Sequence, residues 1–299
     1  MSSTYHNKDR DDNPSGLTHS CHLFEKFLVR YPGSQKDAIN LILSEKLDRN
    51  SLYSKFIEKL NIYENFIINL LPLDFTSQDS PEAADNTSFV IAKEKECEAF
   101  KKIRPDAVMI SSTADDHYIN IAYQRHLSNV NNNSSISLSE YRSSARSADA
   151  IIRSSSCLIL DLNAIKVQDS FSTRSSITGL DVYEACAIAR NAGMSENLQL
   201  FCLVVDDNSL HVHTQEVASL IFWYFLEGRK HRFTDSLSDN LITYLVQSNL
   251  YEDPIKFQKS KITGRWMVTD PITGDVSPCT ESDYDITKTG EIPDVLCAL

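Results

Sequence analysis

Carboxylates and imidazoles stand just after three short apolar runs of this sequence. Ser111-Ser112-Thr113-Ala114-Asp115-Asp116-His117 follows one run and Asp161-Leu162-Asn163 follows another. Asp206-Asp207-Asn208, with His211 and His213 beyond, follows a third. Acidic and imidazole ligands gathered from several strand ends of one sheet are the donors that a hard divalent cation takes, and such a cation turns water into a nucleophile at neutral pH. The competing structural role is plain: acidic residues in these places also cap the helices that follow and stay solvated.

The elements that would position these residues are legible around them. Residues 89–92, 107–110, 157–160 and 200–205 are continuous apolar runs without in/out alternation, the pattern of strands buried on both faces of a parallel sheet. In such sheets ligands bind at the carboxyl ends of the strands, where the residues above stand. Asp181 followed by Glu184 reads as a capping box opening a helix that closes at Gly193, and Thr214 to Gly228 reads as a second, mostly buried helix. Ala145, Ala148, Ile151 and Ile152 predict a helix entered from an Asn/Ser loop over residues 129–137. The class is α/β, a three-layer parallel sheet covered by helices.

Four stretches organise the chain. Residues 1–20 are polar and expected to be disordered. Residues 21–72 read as a helical segment, in which Leu52, Phe56, Leu60, Tyr63, Ile67 and Leu70 form a stripe at steps of four and three behind an N-cap at Ser51. That stripe faces either a core or a partner. Residues 73–87 form a polar loop, 88–250 the α/β core, and 251–299 a C-terminal extension packed on it. Within the extension, Gly264 and the turn sequence Asp270-Pro271-Ile272-Thr273-Gly274 predict a β-hairpin over 264–280 or an edge addition to the sheet, not a separate domain, with Trp266 against the body of the domain.

Composition narrows the function classes. The 299 residues carry 41 acidic against 29 basic side chains, a net charge of −12 without any basic run, which argues against nucleic acid as a partner. Eight glycines are a deficit, and neither G-x-G-x-x-G nor G-x-x-x-x-G-K-[ST] occurs, so the common phosphate-cradling loops are excluded. The seven cysteines never approach C-x-x-C spacing and are read as reduced thiols of a cytoplasmic protein. No apolar stretch suits a signal peptide or a membrane span, so no membrane partner is expected.

Several segments together resemble the arginase family of ureohydrolases, nearest a bacterial arginase or formimidoylglutamase-like subgroup. They are Ala148-Asp149-Ala150, Leu160 to Ile165, Gly179-Leu180, Glu184-Ala185-Cys186 and Ala189 to Ser195. Phe222 to Phe225, Glu227-Gly228, Ile121 to Gln124 and, in the extension, Arg265-Trp266-Met267, Pro278-Cys279, Asp283-Tyr284 and Glu291 to Asp294 continue the match. The resemblance runs from about residue 88 to the end, and implies hydrolysis of guanidino or formimino C–N bonds by a water bridging two manganese ions. The family holds those ions with G-G-D-H, D-x-H-x-D and D-x-D motifs. These fall on Ala92 to Lys95, on Ser111 to Asp115 and on Asp161 to Asn163, leaving Asp115 and Asp161 as ligands, with Lys95 and Asn163 where a histidine and a carboxylate belong.

Two carboxylates cannot neutralise two dications and also bridge them. The resemblance therefore implies a fold kept and a reaction lost: a pseudoenzyme acting through binding or assembly, with no cofactor and with a protein partner or a second copy of itself. Lys95 is expected in place of a cation, beside Asp115 and Asp161. Two alternatives stay open. One is an active manganese-dependent amidinohydrolase of arginase, agmatinase or formimidoylglutamase type, with a rebuilt site drawing on Asp116 and His117. The other is an interaction module using the 51–71 stripe.

Overall fold

The computed structural model describes residues 38–44, 67–73, 87–93, 108–112, 119–124, 133–170, 177–205, 212–232, 238–293 and 295–296. Among the described residues eight strands form the main sheet: β1 (Ala38–Ser44), β2 (Ile67–Leu73), β3 (Ser88–Lys93), β4 (Val108–Ser112), β5 (Ile119–Gln124), β6 (Asn133–Ser137), β7 (Cys157–Asp161) and β8 (Leu200–Val205). Their order is β2-β1-β3-β8-β7-β4-β5-β6. Every pairing from β2 through β4 is parallel, while β5 pairs antiparallel with both β4 and β6 and is the one reversed strand. The four apolar runs of the sequence are β3, β4, β7 and β8, four adjacent strands at the centre of the sheet.

Alternate residues of those strands face opposite ways, and both faces are buried. On one face Phe89, Ile91, Leu158, Leu160, Phe201 and Leu203 meet α2 (Ala145–Ser154), α4 (Val182–Gly193) and α5 (Val212–Lys230); the short helix α1 (Leu138–Ser143) precedes α2 in the chain, and α3 (Val167–Ser170) lies between α2 and α4. Phe89 stacks on Phe201 at 4.7 Å, with Phe222 and Phe225 of α5 closing around it at 4.7 and 5.3 Å. Each fully buried phenylalanine contributes about 2–3 kcal/mol of transfer free energy, so this cluster anchors α5 to the sheet. On the other face Val90, Ala92, Cys157, Ile159, Cys202 and Val204 form a second buried cluster.

The helical reading of residues 21–72 is corrected at two places, since β1 and β2 occupy 38–44 and 67–73. Ile67 and Leu70 of the proposed stripe belong to β2, and Leu52, Phe56, Leu60 and Tyr63 lie outside the described residues, as does the polar N-terminus 1–20. A short apolar run satisfies helical and strand spacing alike, and here pairing with distant strands decided. Pro72 is compatible with β2 because that strand is at the sheet edge, where no further ladder needs its missing N–H. The Asn/Ser loop is also corrected, because residues 133–137 pair with β5 as the polar edge strand β6.

The hairpin predicted over 264–280 is present, as β11 (Trp266–Thr269) and β12 (Val276–Cys279) in register from Trp266↔Cys279 to Thr269↔Val276. It does not join the main sheet. With β9 (Leu241–Val246) and β10 (Ile255–Ser260) it makes a separate four-stranded antiparallel sheet in the order β12-β11-β10-β9, so residues 241–250 belong to the extension. Trp266 packs into that sheet's own core, in a three-ring cluster with Tyr244 at 5.2 Å and Tyr284 of α6 (Glu281–Lys288) at 5.0 Å. The extension reaches the main domain where β12 meets α2 and where Arg265 donates to the Met194 carbonyl at 3.3 Å and stands 3.7 Å from Asp149.

Candidate functional site

The carboxyl ends of β3, β8, β7 and β4 line one edge of the sheet. Ala92 is level with Val204, Val204 with Asp161, and the Leu160↔Ile110 pair brings Ser111 to the same row. Asp161 is thereby fixed at the middle of this edge. Its half-buried side chain accepts a hydrogen bond of 2.9 Å from the Asn163 main-chain N–H and caps a single 3-10 turn, Leu162–Ala164. Asn163, also half-buried, follows on that turn. Lys95, Asp115, Asp116 and His117 lie outside the described residues, as do Asp206, Asp207 and His211. His213 belongs to the first turn of α5 rather than to a loop, exposed and 3.7 Å from Glu216.

Beyond the turn, the chain is tied back to the start of α4. Lys166 donates from its main chain to Leu180 and Leu180 to Ala164, both at 2.9 Å, a junction so close that a Cβ at Gly179 would fall 2.6 Å from the Lys166 nitrogen. Asp181 and Glu184 form the expected capping box, at 2.8 Å in both directions. Asp169 accepts from the Val182 N–H at 3.1 Å and pairs with Lys166 at 3.4 Å. Arg142 then grips Glu184 with two parallel hydrogen bonds, 2.7 and 2.9 Å, and donates to the Gly179 carbonyl at 3.1 Å.

This Arg142–Glu184–Gly179 clamp was not singled out in the sequence, where Glu184 reads only as a capping residue and Arg142 stands 42 positions away. It has electrostatic consequences. The Glu184 carboxylate raises the already high pKa of Arg142, and burial, with Glu184 and Asp181 adding negative charge, pushes the Tyr141 phenol up to about 12. Burial likewise pushes the Cys186 thiol to about 12, so this cysteine is an inert apolar filler. Cys157, Cys202 and Cys279 are buried thiols outside any disulfide as well.

The acidic groups described near this edge thus have structural duties: Asp161, Asp169, Asp181 and Glu184 cap turns and helix starts. Asn163 presents a neutral amide where a charge-compensating carboxylate would be needed, and one oxygen of Asp161 is engaged by the main chain. Of the two, only Asp161 carries charge to offset a dication. Among the described residues no group of three or more His, Cys, Asp or Glu side chains is arranged to hold a metal.

No family model matches the chain, and no curated protein matches it. Solved structures similar to it include formimidoylglutamases and arginases. The formimidoylglutamase of Bacillus subtilis subsp. subtilis str. 168 is 10% identical over 78% of this chain and 97% of that chain, with a TM-score of 0.46. The Trypanosoma cruzi formiminoglutamase (oxidized) with manganese at pH 8.5 is 14% identical over 69% and 97%, TM-score 0.46. The arginase of Bacillus cereus is 10% identical over 64% and 98%, TM-score 0.42. Among the described residues no helix is long and apolar enough to cross a membrane.

Proposed function

We propose that this chain is an arginase-fold protein in which the ureohydrolase reaction has been given up and the carboxyl edge of the sheet serves binding or assembly. One observation carries the reading. At the centre of that edge, one oxygen of Asp161 accepts a main-chain cap bond, and Asn163 stands in the D-x-N sequence where the resemblance requires a second carboxylate. A dinuclear centre without that charge is undercoordinated, and without an activated water the ~10⁶-fold or greater acceleration typical of enzymes is out of reach. Protein partners or a second copy, in a cytoplasmic setting, belong to the same proposal.

The test is hydrolysis. Urea and formamide release from arginine, agmatine and formiminoglutamate is expected to stay at background with manganese supplied, and Asn163→Asp alone is expected to leave it there. Manganese-dependent turnover that Asp161→Ala abolishes would overturn the proposal and establish an amidinohydrolase with a rebuilt site.

A further inference from the structure

One edge of the small antiparallel sheet carries none of the devices that keep strand edges apart. β9 reads Leu-Ile-Thr-Tyr-Leu-Val and stands last in the order β12-β11-β10-β9, so among the described residues it is paired on one side only. Natural edge strands are blunted by charged side chains, proline, bulges or brevity. β9 has no charge and no proline, and its register with β10 runs unbroken from Ile255↔Val246 to Ser260↔Leu241. Thr243 is exposed on it, as are Ile242 and Leu245, at 39% and 64%.

The hydrogen-bond phase of β9 identifies the main-chain groups that face outward. The Lys261 N–H donates to the Asn240 carbonyl at 2.7 Å, one step beyond the Ser260↔Leu241 pair, whereas the Ser260 N–H turns the other way, to the Arg265 carbonyl at 2.8 Å. In an antiparallel ladder this orientation alternates from residue to residue. Asn240, Ile242, Tyr244 and Val246 therefore direct their N–H and C=O groups to β10, and Leu241, Thr243 and Leu245 direct theirs away from the sheet. The outward residues form a palindrome, with a leucine on either side of Thr243.

From this we infer that β9 pairs antiparallel with β9 of a second copy of the chain, about a two-fold axis that passes between the two Thr243 residues. In that register Thr243 faces Thr243, a favourable cross-strand pair, and Leu241 of each copy faces Leu245 of the other. Every outward N–H and C=O of these residues then has a partner. A register centred on Tyr244 would set Leu241 against Gln247, beyond the end of the strand. Leu245 is covered by Leu241 on the outer face, while Ile242 meets Tyr244 on the face that holds Trp266. Pairing of this isologous kind is closed, so the two small sheets merge into one and assembly stops at a dimer. The strand belongs to the small sheet rather than to the carboxyl edge around Asp161, so the inference holds whether or not hydrolysis occurs.

Analytical ultracentrifugation of the full chain over a hundredfold range of concentration tests the pairing. A strand pair of this length is a small interface, so the mass is expected to rise with concentration from that of one chain toward that of two, with no larger species. Thr243→Pro, which removes the outward N–H at the axis, is expected to abolish the dimer. Should that variant fail to fold, Leu245→Lys, at an exposed position, is expected to weaken dimerisation at least tenfold while keeping the urea midpoint of the parent. Cross-linking with a short bis-maleimide reads the register. Thr243→Cys is expected to give a linked dimer well above the background of the parent's seven cysteines, because opposed residues of a hydrogen-bonded pair stand ~5.5 Å apart at Cα. Leu245→Cys is expected to stay at background, since its two copies lie roughly 14 Å apart. A monomer throughout, open-ended larger species, unchanged association of folded Leu245→Lys, or equal cross-linking at the two positions would each overturn the assignment.

Discussion

Single side chains at the carboxyl edge hold the local architecture together, and Glu184 carries the most connections. Its carboxylate completes the capping box at Asp181 and receives both prongs of Arg142, while its own side chain is mostly shielded from solvent. Glu184→Ala is expected to destabilise the protein by about 1–2 kcal/mol in urea unfolding, from a lost cap and a lost bidentate pair. Arg142→Ala is expected to cost less, because that side chain is 49% exposed and water replaces part of the interaction. Equal losses in the two variants would show that the capping box adds nothing. The box was readable from Asp181 and Glu184 in sequence. Arg142 was not, since nothing local to α1 signals a partner on α4.

Helices α4 and α5 cross with almost no side chain between them. A Cβ at Gly193 would come within 2.1 Å of the Phe225 carbonyl oxygen, and one at Gly228 within 2.1 Å of the Arg190 carbonyl oxygen. Both obstacles are main-chain atoms of a packed helix, so neither can swing aside, and Arg190 and Glu227 pair across the same crossing. Gly228→Ala is expected to destabilise by at least about 2 kcal/mol, against the gain of a few tenths to ~1 kcal/mol that Gly→Ala brings in an unobstructed helix. An unchanged or higher unfolding midpoint would contradict so close a crossing. Elements with a strong local pattern were legible: the four buried runs became β3, β4, β7 and β8, and α4 starts at its capping box. The strands read as helix or loop are those whose pattern is ambiguous. β1 and β2 lie at or next to one sheet edge and are short enough to satisfy either period, and β6 is a polar edge strand stabilised by its ladder with β5.

At the scale of the molecule, the small antiparallel sheet has a core of its own in Ile255, Phe257, Trp266 and Val268, with Tyr244 and Tyr284 around it, yet it is joined to the main domain through α2 and Arg265. The hairpin was legible from its turn residues, Asp270 and Gly274, the latter at φ +78°, where glycine is the unstrained choice. That β9 and β10 join it was not, because antiparallel strands joined by short connections leave the sheet they belong to undetermined. A chain ending after residue 240 is expected to unfold at lower urea than the full protein, since α2 then loses the cover of β12 and Asp149 loses Arg265. Residues 241–293 of the intact chain are expected to resist limited proteolysis. Ready release of that segment with an unchanged remainder would mean the two sheets are independent units.

The proposed absence of a dinuclear centre is tested most directly by elemental analysis of the purified full chain after incubation with manganese and removal of the excess. Well under one equivalent of manganese per chain is expected, unaltered by Asp161→Ala, because one Asp161 oxygen already serves the cap and Asn163 offers no charge. Close to two equivalents per chain, lost in Asp161→Ala, would contradict the proposal.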